Sequence, residues 1–178
     1  MPVPWLSNLG VRGRAPRGES RSFCPRILLK SPLSRLSRHR DRLAVAVCPR
    51  DTCAISGRLP PVSILAAAGI RVAIGTDSRV SNPDLSVLAE CHALVGAGVV
   101  PAEQSLRMAT GHGAWAHAHD DRAGRIFPGR PADLIVLRPQ ASLADPFAAA
   151  IDPGTAVVAT LRRGRVITGS LFETAPSA

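Results

Sequence analysis

Beyond the first quarter of the chain, short apolar runs alternate with glycine and proline, and they predict strands and helices in turn. Residues 43–48 are apolar throughout and stop at Pro49, which predicts a buried strand. Residues 61–69 predict a short helix that ends at a glycine, and residues 71–77 predict a second buried strand that ends on Asp77. This alternation is typical of an α/β fold with parallel strands.

The segment that follows predicts an amphipathic helix. Asn82 suits its N-cap, and Pro83 suits its first turn. Five residues at helical spacing form the stripe that should face the core: Leu85, Leu88, Ala89, His92 and Val95. We therefore expect His92 to be packed in the core, whereas Glu90 is expected to be solvated or paired with a neighbour.

The rest of the chain predicts two more helices and a β-rich end. The helices are expected from residue 101 through 108 and over residues 112–119. Residues 132–137 and 157–161 predict strands, and a turn rich in arginine precedes a third short strand at residues 166–167.

Asp77 is the first candidate for chemistry, because it lies at the predicted carboxyl end of a buried strand. In parallel sheets and barrels, ligands and catalytic groups gather at the carboxyl ends of the strands. An aspartate at a strand end can also cap the turn that follows it. The strand alone does not separate these two roles.

Four short motifs in a fixed order resemble a known family. They are Gly-Thr-Asp-Ser at residues 75–78, Ser-Asn-Pro-Asp-Leu at 81–85, Met-Ala-Thr-Gly-His-Gly-Ala at 108–114, and Gly-Arg-Ile-Phe-Pro-Gly-Arg-Pro-Ala-Asp-Leu at 124–134. The series resembles the C-terminal part of the metal-dependent amidohydrolases. The similar branch contains aminohydrolases and chlorohydrolases of purine-, pyrimidine- or triazine-like rings, including cytosine deaminase-like and aminodeoxyfutalosine deaminase-like members. The resemblance covers about residues 43–168.

The resemblance implies an α/β fold with two parts. Residues 43–124 would form the last two β/α units of a TIM-like barrel, and residues 125–178 would form part of a small C-terminal β-sandwich. The strand that ends at Cys48 resembles the seventh barrel strand, and the next strand resembles the eighth. The family's polar pair after Cys-Pro, such as Ser-Asn, is replaced here by Asp51 and Thr52.

For an intact member, the resemblance implies hydrolysis of a C–N or C–Cl bond on the ring of a small-molecule substrate. A single divalent metal, zinc or iron, lowers the pKa of a bound water and supplies hydroxide. The aspartate at the tip of the eighth strand binds the metal or its water and shuttles the proton to the leaving group. Asp77 matches that catalytic and metal-binding position, and Ser78, Ser81 and Asn82 are candidates for substrate binding.

His117 and His119 form a His-x-His pair, but we expect no metal site there. The family's pair lies on the first barrel strand, whereas this one falls in a predicted helix, where residues two apart point away from each other. The family's metal is held by that pair, two further histidines and the aspartate, and His39 is the only histidine before Cys48. We therefore expect a C-terminal fragment that is inactive on its own.

The first 42 residues differ from the rest in charge. Residues 1–42 carry ten Lys or Arg against two acids, whereas residues 43–178 carry twelve against eleven. The basic segment lacks a sustained period and enough apolar surface to offset the entropy of ordering, which predicts disorder. Three explanations stay open: a nucleic-acid-binding tail, an organelle transit peptide, or a segment not native to the fold through a wrong start or a shifted frame. We favour the last.

Membrane association is not expected. Apolar runs fall far short of the roughly 20 residues that span a bilayer, and no targeting signal is evident, so we expect a soluble, cytoplasmic protein. Four cysteines in a chain of this type do not predict a disulfide framework. Two functions compete with the hydrolase fragment: a non-catalytic interaction fragment, and a nucleic-acid-binding protein that acts through residues 12–42. The resemblance is also compatible with a homo-oligomer.

Overall fold

The computed structural model describes residues 10–13, 22–23, 33–140 and 144–171. The elements follow in chain order: β1 (Gly10–Gly13), β2 (Ser22–Phe23), α1 (Leu33–Ser37), β3 (Leu43–Val47), α2 (Pro49–Ser56), α3 (Val62–Ala67), β4 (Arg71–Ile74), α4 (Val87–Gly96), α5 (Ala102–Ala109), α6 (Gly111–Ala116), β5 (Leu134–Arg138), α7 (Pro146–Ile151), β6 (Ala156–Arg162) and β7 (Arg165–Gly169). Helices combine with a parallel strand pair and an antiparallel sheet, which confirms a mixed α/β fold.

The first sheet has the strand order β2-β1-β3-β4, in which β3 and β4 form a parallel pair and β4 is the last strand. Ala44 lies opposite Arg71 and Val47 lies opposite Ile74, so both strands end at the same edge. Four of the five residues of β3 are buried, as are the last three of β4. The continuous apolar sequence of both strands is therefore explained by burial of the parallel pair.

Strand β1 pairs with the other edge of β3 in antiparallel orientation, with Val11 opposite Val45, and β2 pairs with β1. The sequence pattern before Leu43 predicts no regular element, yet β1, β2 and α1 lie there. The open edge of a strand offers backbone groups that pair with any extended segment, which leaves no mark in a side-chain pattern. The disorder predicted for residues 1–9, 14–21 and 24–32 concerns positions outside the described residues.

Helices α3, α4, α5 and α7 and the two parallel strands contribute to the apolar core. Helix α5 contacts α4, α6, α7 and β4, and α6 also contacts β3. The core consists of the buried apolar side chains Leu43, Val45, Val47, Val62, Leu65, Ile70, Val72, Ile74, Cys91, Leu94, Val100, Ala102, Met108 and Ile151. The core therefore lies on the helix-covered side of the parallel strands and includes α7, which follows β5 in the chain.

The second sheet is antiparallel, with the order β5-β6-β7, and it confirms the three strands predicted for the end of the chain. The register shifts between Val136 and Leu137 and again between Thr160 and Leu161. All residues of β7 are exposed. The carboxylate of Asp133 accepts a hydrogen bond from the backbone N–H of Arg163, at 2.7 Å, and so joins the entry of β5 to the turn after β6.

Helix α4 begins later than the sequence predicts, because Ser86 rather than Asn82 is its N-cap. The Ser86 hydroxyl accepts a hydrogen bond from the Ala89 N–H at 3.2 Å. Leu85 has a φ of 49°, in the left-handed region, so the helix cannot extend back through it. The side chain of Asn82 is buried and takes part in a hydrogen-bond network described below.

The prediction that His92 is packed in the core is wrong, because His92 is exposed. A helix that begins at Val87 turns Glu90, Cys91 and Leu94 inward, and each of these three is buried. Leu88 and Val95 from the predicted stripe pack against the core only partly. The stripe was defined from Leu85, which lies before the helix, and this misplaced its centre.

Helix α6 is shorter than the predicted segment 112–119 and ends at Ala116. Ala118 has a φ of 56°, and the N–H of His119 donates to the Ala114 carbonyl at 2.8 Å, which closes the helix end. His117 and His119 therefore lie past the helix. The helical geometry used against a metal site at this pair does not apply, although the residues do not form a His-x-His strand either.

Candidate functional site

Asp77 lies at the edge where the two parallel strands end. The N–H of Gly75 donates to the Val47 carbonyl at 3.0 Å and continues the pairing by one residue beyond β4. Thr76 and Asp77 follow, and the side chain of Asp77 is exposed. Among the described residues, none makes a hydrogen bond or ion pair with its carboxylate. Asp77 therefore presents, at the carboxyl end of a buried strand, a carboxylate that no described residue binds.

The three candidates for substrate binding differ in accessibility. Ser78 is exposed beside Asp77, and Ser81 is partly exposed one turn later. The Asn82 N–H donates to the Ser78 carbonyl at 2.9 Å, so these residues form one turn. Asn82 itself is buried at 0% exposure, and both ends of its side-chain amide are used by protein groups. A role in substrate binding stays a prediction for all three.

Helix α2 places a buried carboxylate next to Asp77. Asp51 is 1% exposed, and its Oδ2 accepts a hydrogen bond from the Asp77 N–H at 3.2 Å. Asp51 Oδ1 and the hydroxyl of Thr52 are buried and have no hydrogen-bond partner among the described residues. The sequence analysis singled out Asp51 and Thr52 as residues that replace the family's polar pair, but it did not predict the contact of Asp51 with Asp77.

Glu90 is the centre of a second network that joins α4 to the start of α2. It is completely buried, and its Oε2 accepts the backbone N–H of Arg50 at 2.7 Å. The Asn82 side-chain amide donates to the other carboxylate oxygen. Arg50 Nη1 in turn donates to Asn82 Oδ1 at 3.2 Å and to Asp84 Oδ1 at 2.7 Å. The expectation that Glu90 is paired is confirmed, and the pairing occurs in the interior.

Burial and neighbouring charge shift several of these groups. Burial raises the pKa of the Cys48 thiol to about 12, with further contributions from Asp51, Glu90 and Asp77. Burial likewise raises the pKa of Glu90, opposed mainly by its hydrogen bond from the Arg50 N–H. The hydrogen bond with Arg50 lowers the pKa of Asp84. Cys48 is therefore a neutral thiol near neutral pH in these surroundings, which does not suit a nucleophile.

A catalytic metal needs about three protein ligands besides its water. Within residues 33–140 and 144–171, no group of three or more His, Cys, Asp or Glu side chains is placed to hold an ion. Cys53 is exposed and Cys91 is buried, while Cys24 lies outside the described residues. The described part of the chain therefore does not fit a resident metal, since Asp77 offers a single carboxylate.

His112 serves packing rather than the strand ends. Its Nδ1 lies 2.7 Å from the Val72 carbonyl oxygen on β4. Burial lowers the pKa of His112, the bond with Val72 opposes that change, and Arg71, Arg107 and Arg125 lower it further. The imidazole therefore fastens α6 to β4.

None of the helices formed by the described residues combines the length and apolar character needed to cross a bilayer.

The sequence and fold are similar to known hydrolases. The amidohydrolase family pattern matches residues 26–168. A 5-methylthioadenosine/S-adenosylhomocysteine deaminase from Moorella thermoacetica is 39% identical over 104 residues, which cover 54% of this chain and 24% of that protein. The chain thus spans about a quarter of the length of the curated relatives it matches.

Two solved structures have a similar fold. An adenosine deaminase from Xanthomonas campestris with bound zinc has a TM-score of 0.62 and 27% identity, covering 70% of this chain and 31% of that one. An atrazine chlorohydrolase from Arthrobacter aurescens TC1 complexed with zinc has a TM-score of 0.66 at 23% identity, covering 78% and 34%, and shows the fold alone. With most of its length matched by the family pattern, the chain belongs to the amidohydrolase family.

Proposed function

We propose that the chain supplies the last two β/α units and part of the β-sandwich of a ring-acting hydrolase. In this assignment, β3 and β4 are the seventh and eighth barrel strands, residues 43–124 form the barrel part, and residues 125–178 form the sandwich part. The parallel register of β3 with β4 supports the first assignment. The separate antiparallel sheet β5-β6-β7 supports the second. Residues 1–42 are assigned to neither part.

The proposed reaction is hydrolytic deamination of an aminopurine ring in a nucleoside. The support is the 39% identity over 104 residues to a methylthioadenosine and S-adenosylhomocysteine deaminase. Cleavage of a C–Cl bond remains the alternative chemistry of the same fold, since a chlorohydrolase is among the structural neighbours. In either case the substrate is a small ring compound.

Asp77 is proposed as the group that moves the proton. Water adds its oxygen to the ring carbon that bears the amine and gives one proton to the Asp77 carboxylate. Asp77 then gives that proton to the amine as the C–N bond breaks, and ammonia leaves. The observation that carries this role is the exposed carboxylate of Asp77, without a partner among the described residues, at the end of a buried parallel strand.

In an intact enzyme of this class, a divalent ion, zinc or iron, would activate the water that attacks the ring. Because the described residues do not fit a metal site, we propose that this chain alone does not turn over substrate. Ser78 is the residue beside Asp77 that is accessible to a substrate, and Ser81 is less so. Asn82 would act only by holding the turn that carries them.

A chimera tests the role of Asp77. The segment of the Moorella thermoacetica deaminase that matches this chain is replaced by the matching segment of this chain, and ammonia release from methylthioadenosine is measured. We expect deamination by the chimera and a loss of about 10²- to 10⁴-fold in kcat when Asp77→Asn is introduced, the range for a general acid–base group. Ser63→Ala, an exposed helix substitution, is the matched control.

The purified 178-residue chain is assayed in parallel with added zinc, and no turnover is expected. Turnover by this chain that Asp77→Asn abolishes would contradict the proposed inactivity and support the chemistry. A folded chimera that deaminates equally well with Asn at position 77 would contradict the role of Asp77.

A further inference from the structure

We propose that Asp51 is a positioning residue that fixes the backbone of Asp77, an inference that rests on the role proposed for Asp77. Asp51 Oδ2 accepts the Asp77 N–H at 3.2 Å from a side chain that is 1% exposed. The contact links residues 26 positions apart in sequence. It is a bond between helix α2 and the first loop residues after β4, at the place where the proposed chemistry occurs.

A carboxylate in the first turn of a helix usually serves the helix itself, by accepting its free N–H groups or interacting with its dipole. Asp51 lies in the first turn of α2, but its hydrogen bond goes to Asp77. The free N–H of Arg50 in the same turn is instead taken by Glu90, at 2.7 Å. Because Glu90 of α4 accepts this N–H, the Asp51 carboxylate is available to accept the N–H of Asp77.

The same turn of α2 also holds the far end of that loop. Arg50 Nη1 donates to Asn82 Oδ1 at 3.2 Å and to Asp84 Oδ1 and Oδ2 at 2.7 and 3.0 Å. Two consecutive residues of one helix therefore fasten the loop near its start, at Asp77, and near its end, at Asp84. The segment between them contains Ser78 and Ser81. The hydrogen bond from the Asp77 N–H to Asp51, called the tie below, therefore also restricts the backbone that carries these two side chains.

The described part of the protein contacts Asp77 through its backbone N–H rather than through its side chain. No described residue bonds to its exposed carboxylate, so the orientation of that group depends on the position of its own Cα. A carboxylate is the suitable partner, because it only accepts hydrogen bonds and binds an N–H more strongly than a neutral acceptor does. Among the described residues the buried Oδ1 of Asp51 has no partner, so the hydrogen bond of this side chain within that part of the chain goes to the Asp77 N–H.

Amide hydrogen exchange of the full-length chain, followed by NMR, tests the tie directly. In the wild type, the Asp77 amide should exchange about tenfold or more slowly than the amides of Thr76 and Ser78, which donate to no described residue. Asp51→Ala should remove that difference. Asp51→Asn keeps an acceptor oxygen in place and should hold Asp77 exchange within about threefold of the wild type.

Asp133→Ala is the matched control, because Asp133 makes the same kind of bond, to the Arg163 N–H, in the other sheet. It should speed exchange at Arg163 and leave Asp77 unchanged. The tie is overturned if the wild-type Asp77 amide exchanges as fast as its neighbours, if Asp51→Ala leaves it unchanged, or if Asn fails to rescue it. The first of these needs no variant, so it holds even where Asp51→Ala does not fold.

Exchange is measured without substrate or metal, so it separates the two proposals. If exchange at Asp77 depends on Asp51 but the chimera deaminates equally well with Asp77→Asn, the hydrogen bond to Asp51 is supported and the proton-transfer role of Asp77 is rejected. The opposite pair of results would keep the chemistry and reject the tie.

Discussion

The regions around the two sheets contain the same kind of hydrogen bond, one buried and one exposed. In each, an aspartate accepts the N–H of a distant residue: Asp51 holds Asp77 beside the parallel strands, and Asp133 holds Arg163 in the antiparallel sheet. Asp51 is 1% exposed, whereas Asp133 is exposed. A buried bond cannot be replaced by water when it is lost, and an accessible one can. The parallel region is therefore the part in which single changes should have large consequences.

The largest contrast is expected between apolar truncations in the two regions. Leu94→Ala in α4 removes a completely buried side chain from the core and should lower the free energy of unfolding by about 2–5 kcal/mol. Ile167→Ala in β7 truncates a side chain that is 59% exposed and should change it by less than about 1 kcal/mol. Urea unfolding of both variants measures the difference. Equal losses would show that β7 is covered in solution.

The parallel region was the part that the sequence described best, because its signals are local. The apolar runs of β3 and β4 and the helix-ending glycine at residue 69 predict a buried α/β unit, and Asp77 follows from its place at a strand end. The contacts that arrange the site are not local. Arg50 reaches Glu90 across 40 residues and Asn82 across 32, and a pattern along one helix contains no trace of such partners.

The error at α4 has the same origin. Asn82 has the chemistry of an N-cap, and nothing in its neighbourhood in sequence shows that Glu90 and Arg50 take up its side chain. With Asn82 used in this way, the helix begins after Ser86, and its buried face is set by Glu90 rather than His92. A buried glutamate was the feature least expected from composition, since such residues are rarely buried unless they are paired.

A pH series sharpens the contrast, because it addresses a buried carboxyl of the parallel region. Burial raises the pKa of Glu90 in the folded chain, so the folded state binds more protons than the unfolded state above about pH 4.3, the ordinary value of a glutamate. The stabilisation from Glu90 is therefore complete below that pH and is lost as the pH rises through the folded pKa.

Thermal unfolding of the wild type and of Glu90→Gln across pH 4 to 8 measures this effect as the difference between the two curves. The wild type should lose stability relative to Glu90→Gln as the pH rises. Because both proteins contain His112, whose pKa is lowered by burial, its contribution cancels in the difference. A difference that does not vary with pH would show that Glu90 titrates alike in the folded and unfolded chains.

The smallest change in the free energy of unfolding should come from altering the bond between Asp133 and the Arg163 N–H, which is of the same kind as the bond between Asp51 and the Asp77 N–H. Asp133→Asn keeps an acceptor for the Arg163 N–H at an exposed position, where solvent is also available to that group, so the free energy of unfolding should change by less than about 0.5 kcal/mol. Asp51→Asn keeps an acceptor for the Asp77 N–H, but it places an NH2 group at the buried position of Oδ1, which has no partner among the described residues, and should cost more, about 1–3 kcal/mol. Chemical unfolding of the two variants side by side tests this order. Equal costs would mean that burial does not distinguish the two bonds, and the small sheet would then be held as firmly as the strands that carry Asp77.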